Sequence, residues 1–266
     1  MPDTGIGAGG EGVVRVALEG GVGVIAMDYP ARRNALSLAL RERLYEGLCR
    51  LMEDEACRVI VLTGAGGCFC AGGDISSMDG VTPVGGRPRL RRIHRVVRLL
   101  VESEKPVIAA VEGWAAGAGV SLAAACDIVV SASDARFACS FGKIGLVPDL
   151  GAAYTLVMRM GLGRARHMMM TGATFTAEQA ERMGLVEVLC DPGAALDTAR
   201  KMAAGMAEAA PLSLAMTKAL TARMPDTLDA MLKAEVEAQA VLFATGDFAE
   251  GRAAFLEKRK PAFTGR

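Results

Sequence analysis

Asp149 stands in Gly145-Leu146-Val147-Pro148-Asp149-Leu150-Gly151, a turn punctuated by glycine and proline that follows a nearly uncharged stretch. Two other glycine-rich turns, Ala71-Gly72-Gly73-Asp74 and Gly117-Ala118-Gly119, expose main-chain N–H groups beside small residues. Such amides can hold an anion, above all where a helix begins, because first-turn N–H groups have no intrahelical acceptor. An acid beside an anion hole can move a proton to or from carbon while the hole holds the charge that develops. The number of acids decides the reaction. One carboxylate can take a proton from one carbon and return it to another, whereas adding water across a double bond needs a second group to activate the water. A purely structural role is open to Asp149 as well, as a turn or N-cap residue before a helix starting near Ala152.

The elements that must position these turns read as follows. Val13 to Leu18 and Val22 to Asp28 are strands joined at Gly20-Gly21. Ser37 caps a helix running to about Glu53, with Leu40, Leu44, Leu48 and Leu51 on one face. Val59 to Leu62 is a buried strand that enters the loop from Gly64 to Gly73. Residues 81–88, rich in Pro and Gly, are expected to be a mobile loop. An Arg-rich helix is predicted from about Leu90 to Val101, its stripe being Leu90, Ile93, Val97 and Leu100 and its charges a solvated face. Strands at 106–111 and 127–130 flank the Gly117 turn and a helix of small residues. Met168-Met169-Met170 reads as helix core. A repeated unit of strand, glycine turn and helix defines an α/β fold with ligand groups at the turns after the strands. From about Asp191 the pattern is helical, at 193–208, 211–222, 227–243 and 247–258. The expected organisation is a flexible tail at 1–12, a core carrying the site at 13–190, and a helical subdomain at 191–266. The apolar stripes of that subdomain ask for a partner surface, so an oligomer is expected.

Composition narrows the function. The 266 residues suffice for one large domain, and 30 basic residues balance 30 acidic ones. Zero net charge and 5% aromatic content give no sign of nucleic-acid or membrane partners. No apolar run reaches the ~20 residues of a membrane span. The seven cysteines show no zinc-like spacing, no metal site is expected, and reduced thiols suit a cytoplasmic location. Cys68-Phe69-Cys70 is a weak candidate for a redox pair. The two histidines, His94 and His167, fall in helical patterns away from the glycine turns, so a nucleophilic aspartate or a serine triad lacks its base.

Taken in order, several segments resemble the crotonase (enoyl-CoA hydratase/isomerase) superfamily. They are Pro30-Ala31-Arg32-Arg33-Asn34-Ala35-Leu36, Phe69-Cys70-Ala71-Gly72-Gly73-Asp74-Ile75, Gly113 to Gly119, Ala125-Cys126-Asp127-Ile128, Phe141 to Gly151, Thr176 to Ala180 and Gly184-Leu185-Val186. The resemblance implies a spiral of ββα turns with a C-terminal helical trimerisation region. It also implies oxyanion donors at the N–H groups of Gly73 and Ala118. The hydratases of the family carry two glutamates; the matching positions here are Ser121 and Phe141, neither of which can serve as the base. Asp149 lies where the isomerase relatives carry their carboxylate, and burial should raise its pKa. The segments Phe141 to Asp149 and Glu250 to Gly265 resemble the phenylacetate-pathway ring-epoxide isomerases and Δ3,Δ2-enoyl-CoA isomerases.

The resemblance also implies contacts to coenzyme A, here part of the substrate and not a prosthetic group. Arg32 and Arg33 match a basic contact near its phosphates, Ala71, Asp74 and Ile75 the loop at its adenine, and Lys260 and Phe263 contacts made from a neighbouring subunit of a homotrimer or dimer of trimers. An acyl-CoA isomerase is the expected activity. A divergent hydratase or lyase, or a non-catalytic acyl-CoA-binding member, stays open as an alternative.

Overall fold

Strand β4, Val59–Gly64, is apolar along almost its whole length because both faces are covered. In the computed structural model, which describes residues 4–6, 9–224 and 226–266, Ile60 and Leu62 face one layer of helices while Val59 and Val61 face another. The sheet runs β1 (Thr4–Ile6), β2 (Val13–Glu19), β3 (Val22–Asp28), β4, β5 (Val107–Val111), β7 (Ile128–Ala132), β10 (Val188–Cys190). β1 to β3 pair antiparallel, and β3 to β10 pair parallel. Three short strands, β6 (Trp114–Ala116), β8 (Arg136–Ala138) and β9 (Thr174–Thr176), form a second sheet.

One face of the main sheet carries α1 (Leu38–Glu53), α2 (Pro83–Glu102), α3 (Ala118–Ala125) and α4 (Ala152–Thr171), the last interrupted at Gly161. Ser37 caps α1, its Oγ accepting from the Leu40 N–H at 3.1 Å. The other face carries α6 (Ala195–Ala207), whose Ala195, Ala199, Ala203 and Ala207 recur every four residues and let the helix lie close to the sheet. α5 (Ala177–Met183) opens with a capping box between Thr176 and Gln179. α7 (Pro211–Thr221), α8 (Leu228–Phe243) and α9 (Gly246–Glu257) follow. Lys218 of α7 is buried, donating to the Leu100 and Lys105 carbonyls and pairing with Asp127 at 2.8 Å, which ties the helical part to the core. α8 buries no residue within the chain, and Leu228, Leu232 and Val236 are exposed along one stripe.

Four expectations change. Thr4–Ile6, expected within a loose tail, pairs as an edge strand with Val14, Arg15 and Val16; residues 1–3 and 7–8 of that tail lie outside the described residues. Residues 83–88, expected as loop, are the start of α2. Thr82 accepts from the Gly85 N–H and Pro83 occupies the first helical position, where a missing N–H costs nothing. The buried stripe of α2 is Ile93, Val96 and Leu100; Val97 is partly covered and Leu90 exposed, because the helix turns its later residues to the core. Of the three methionines, Met168 is core, Met169 half-buried and Met170 78% exposed, since a helix cannot bury three successive side chains on one face. Among the described residues no helix is long and apolar enough to cross a membrane.

Candidate active site

The loop after β4 and the loop after β5 lie side by side. The Cys70 N–H donates to the Trp114 carbonyl and the Ala116 N–H to the Cys70 carbonyl, each at 2.9 Å. Leu36 bridges to Gly73 through its own N–H, given to Gly72 O at 2.7 Å, and through the Asp74 N–H, given to Leu36 O at 3.3 Å. That pattern uses the groups on either side of Gly73 and turns the Gly73 N–H away from the bridge. Ala118 is the first residue of α3, and the ladder begins later, with the Val120 and Ser121 N–H groups donating to Gly117 O. A Cβ on Gly72, whose φ is +114°, would stand 3.0 Å from the Ala116 carbonyl and 3.7 Å from the Ala118 nitrogen. The two turns therefore meet backbone to backbone, which a side chain at Gly72 would prevent.

Asn34 holds this arrangement from below. It is fully buried at φ 58°, accepts from the Tyr29 N–H at 2.8 Å, and donates to the Ala65 and Cys68 carbonyls at 2.9 and 2.6 Å. Asn34→Ala strands three backbone groups and puts a Cβ-bearing apolar residue in the left-handed region. Denaturant unfolding is expected to show a loss of about 4 kcal/mol; a loss below about 1 kcal/mol would remove Asn34 from this role.

Asp149 lies at the end of the irregular run that follows the 3₁₀ turn Ser140–Ile144. Its Oδ1 is buried and has no hydrogen-bond partner among the described residues. The N-cap alternative is not realised: Gly151 occupies the cap of α4, and no side chain bonds there. Burial raises the Asp149 pKa above the ordinary carboxylate value, against the pull of Arg41, His94, its own N–H and Arg89. The same burial, with Asp149 nearby, pushes the Cys139 thiol up to about 12. Leu150 follows at φ 52° and is fully buried. At the two hydratase-acid positions, Ser121 is buried with its hydroxyl donating to Gly117 O at 3.3 Å, and Phe141 belongs to the core.

Two residues near the acid were missed or misplaced. Arg41 is buried in α1, its Nε donating to the Leu36 carbonyl at 3.1 Å. Its Nη2 lies 3.3 Å from where a Gly73 Cβ would stand, and its charge acts on Asp149, so it joins the glycine turn to the acid. The signal was in the sequence: Arg41, Leu44, Leu48 and Leu51 recur at helical spacing, and a charge on an apolar stripe is the informative residue. His94, expected away from the glycine turns as a surface histidine, with a weaker claim on the acyl pocket through the neighbouring 81–88 segment, sits on α2 close enough for its charge to act on Asp149. His167 does stay apart, exposed and edge-on to Phe175.

Arg32, Arg33, Ala71 and Ile75 are exposed around the mouth of the turns. The Ala71 N–H donates to the Arg33 carbonyl at 2.9 Å, bringing these two loops together. Asp74 caps the short turn Ile75–Met78 through Ser76. Lys260 and Phe263 are not brought to this cluster within the chain. Lys260 pairs with Glu208, and the Phe263 carbonyl accepts from Arg58, which precedes β4. The glycine turn follows the opposite end of that strand, about 20 Å away at 3.3 Å per residue. Cys70 is fully buried and its thiol is pushed up to about 12 by burial, so the Cys68-Cys70 pair is not a reactive thiolate site.

Residues 17–266 match the enoyl-CoA hydratase/isomerase family. The 1,2-epoxyphenylacetyl-CoA isomerase of Escherichia coli K12 is 37% identical over 255 residues, 94% of this chain and 97% of the relative. The 2,3-dehydroadipyl-CoA hydratase of the same organism is 36% identical over 248 residues, 91% and 95% of the two chains. The crystal structure of an enoyl-CoA hydratase from Bacillus anthracis superimposes with a TM-score of 0.91 at 30% identity, covering 95% of this chain and 99% of that one. The chain belongs to the enoyl-CoA hydratase/isomerase family. It is a family enzyme of the acyl-CoA class with the crotonase α/β fold, and its relatives carry both hydratase and isomerase names.

Proposed function

We propose that this protein is an acyl-CoA thioester isomerase that performs a 1,3-proton shift, in an open-chain enoyl group or one derived from a ring epoxide. The observation that carries the reading is the buried Oδ1 of Asp149, without a hydrogen-bond partner among the described residues, under the charge of Arg41, which also meets the Gly73 turn. In the proposed reaction the thioester oxygen accepts from the Gly73 and Ala118 N–H groups. Asp149 removes a proton from one carbon, negative charge collects on the thioester oxygen, and the same carboxyl returns the proton two carbons away. A raised pKa suits both halves of that exchange, since the group must be a base first and an acid afterwards. Arg32, Arg33, Ala71, Asp74 and Ile75 would receive the nucleotide of coenzyme A. Lys260 and Phe263 would reach it from a neighbouring copy in a homotrimer or dimer of trimers, which would also cover the exposed stripe of α8.

The hydratase names among the relatives favour a second reading, in which water adds across the double bond. The two are separated by following 3-enoyl-CoA isomerisation and crotonyl-CoA hydration with the same purified enzyme. Isomerisation is expected to exceed hydration by about 10²-fold in kcat/KM, the scale on which a missing acid–base group is felt. Hydration equal to or faster than isomerisation would overturn the proposal.

A further inference from the structure

Between α1 and the N-terminal half of α2 lies a cavity of about 500 Å³. Leu38, Val81 and Ile93 give it apolar walls, and Arg41, Arg89 and Arg92 give it three guanidinium groups. The acid on its wall, Glu42, already pairs with Arg95 at 2.8 Å. The hydrogen-bond acceptors of the inner two arginines are neutral, and the charges of Asp149 and Asp74 also act on Arg41. Arg41 donates to the Leu36 carbonyl, and Arg89 to the carbonyl and hydroxyl of Ser77 at 2.8 and 2.7 Å. Burial and the neighbouring Arg89 hold the Arg41 pKa below its usual value, as expected where cations crowd together.

The cavity is open at its rim, where Leu38, Val81 and Arg92 are exposed, while Arg41 is buried, so an anion that enters it meets several guanidinium groups at once. The position of Arg41 says what enters. Its Nη2 is beside Gly73, and it also lines the cavity, so the cavity and the turn proposed to hold the thioester carbonyl share this residue. The group that extends from that carbonyl is the acyl chain. Apolar walls suit its methylenes, and Arg89 and Arg92, three residues apart on one helix face, suit a carboxylate at its far end, because guanidinium forks match carboxylate geometry.

We propose that the acyl group is an ω-carboxyacyl chain, a dicarboxylic acid joined to coenzyme A at one end, with its second carboxylate held by Arg89 and Arg92 beyond Arg41. This rests on the reading above only in placing the thioester carbonyl at Gly73 and Ala118.

Saturated thioesters test it without turnover. Titration calorimetry of adipoyl-CoA, hexanoyl-CoA and coenzyme A compares a carboxylate end, a methyl end and no acyl chain. The wild type is expected to bind adipoyl-CoA about tenfold or more tighter than hexanoyl-CoA, and the gap should shrink below about threefold in Arg89→Met. Equal affinities in the wild type, or tighter binding of hexanoyl-CoA, would overturn the proposal. It also falls if Arg89→Met weakens all three ligands alike, since the cavity would then hold a phosphate of coenzyme A. It falls again if neither Arg89→Met nor Arg92→Met narrows the gap. A clear preference for adipoyl-CoA in an enzyme that isomerises no 3-enoyl thioester would support the ω-carboxyacyl site and sink the isomerase reading alone.

Discussion

Asp149→Asn is expected to lower kcat for 3-enoyl-CoA isomerisation by about 10³-fold or more while leaving the folded enzyme as stable as the wild type or more so. The first half follows from chemistry: an amide cannot shuttle a proton, and no second carboxylate stands at the positions of Ser121 or Phe141. The second half follows from the direction of the pKa. Asp149 is raised in the folded state, mainly by burial. Its contribution to stability is therefore fully present below the ordinary carboxylate pKa and is lost as pH rises through the raised folded value. Above that raised value the wild type carries a desolvated charge that the Asn variant lacks, so the variant should melt at an equal or higher temperature there. The difference should close as the pH falls and Asp149 takes up its proton. For the wild type, kcat/KM should rise with pH through that same raised value, since the base must be ionised to begin the reaction. An Asn variant that keeps its rate, or one that melts well below the wild type at alkaline pH, would contradict the assignment of a buried catalytic acid.

Ala118→Pro is expected to cost about 10²–10³-fold in kcat, the usual loss when one oxyanion donor is removed, with a much smaller effect on folding. Most substitutions at Ala118 would keep the main-chain N–H and test nothing. Proline deletes that one group, and it does so at the first position of α3, where a helix accepts proline and loses no internal bond. The preceding Gly117, at φ 51° and ψ −121°, has the mirror image of an extended conformation, which glycine can keep before proline. Circular dichroism and binding of a saturated acyl-CoA would establish that the fold and ground-state contacts survive. A proline variant with near-wild-type kcat would place the developing charge elsewhere.

Much of the scaffold could be read from the chain because its signals are local. The apolar runs at Val22 to Met27 and Val59 to Leu62 and the Ser37 cap each state their own conformation within a few residues. The three-residue strands of the second sheet could not be read that way, since their pairing is between Trp114, Arg136 and Thr176, far apart in sequence. The beginning of α2 carried contrary signals, glycines and prolines on one side and a Thr-Pro start on the other, and the cap prevailed. At the site, the glycine turns and the acid were legible as residue types. Their contacts with Arg41 and His94 were not, because these depend on how α1 and α2 lie across the turns. A charge in an Arg-rich or amphipathic helix reads as solvated until the packing shows which face is covered.

Leu150 gives the site a tether remote from the reacting atoms. A non-glycine residue at its φ of 52° carries roughly 1–2 kcal/mol of backbone strain. Fully burying a leucine is worth about 1.5–3 kcal/mol, enough to keep that conformation in place. The carboxyl of Asp149 is thus aimed by the grip of the core on the next side chain, as a lever is aimed by its fulcrum. Substitutions in the hydrocarbon interior that loosen this grip could let the acid swing without altering any group that meets substrate. Laboratory evolution of this enzyme toward other acyl groups would then find useful changes among greasy residues several positions removed from the chemistry.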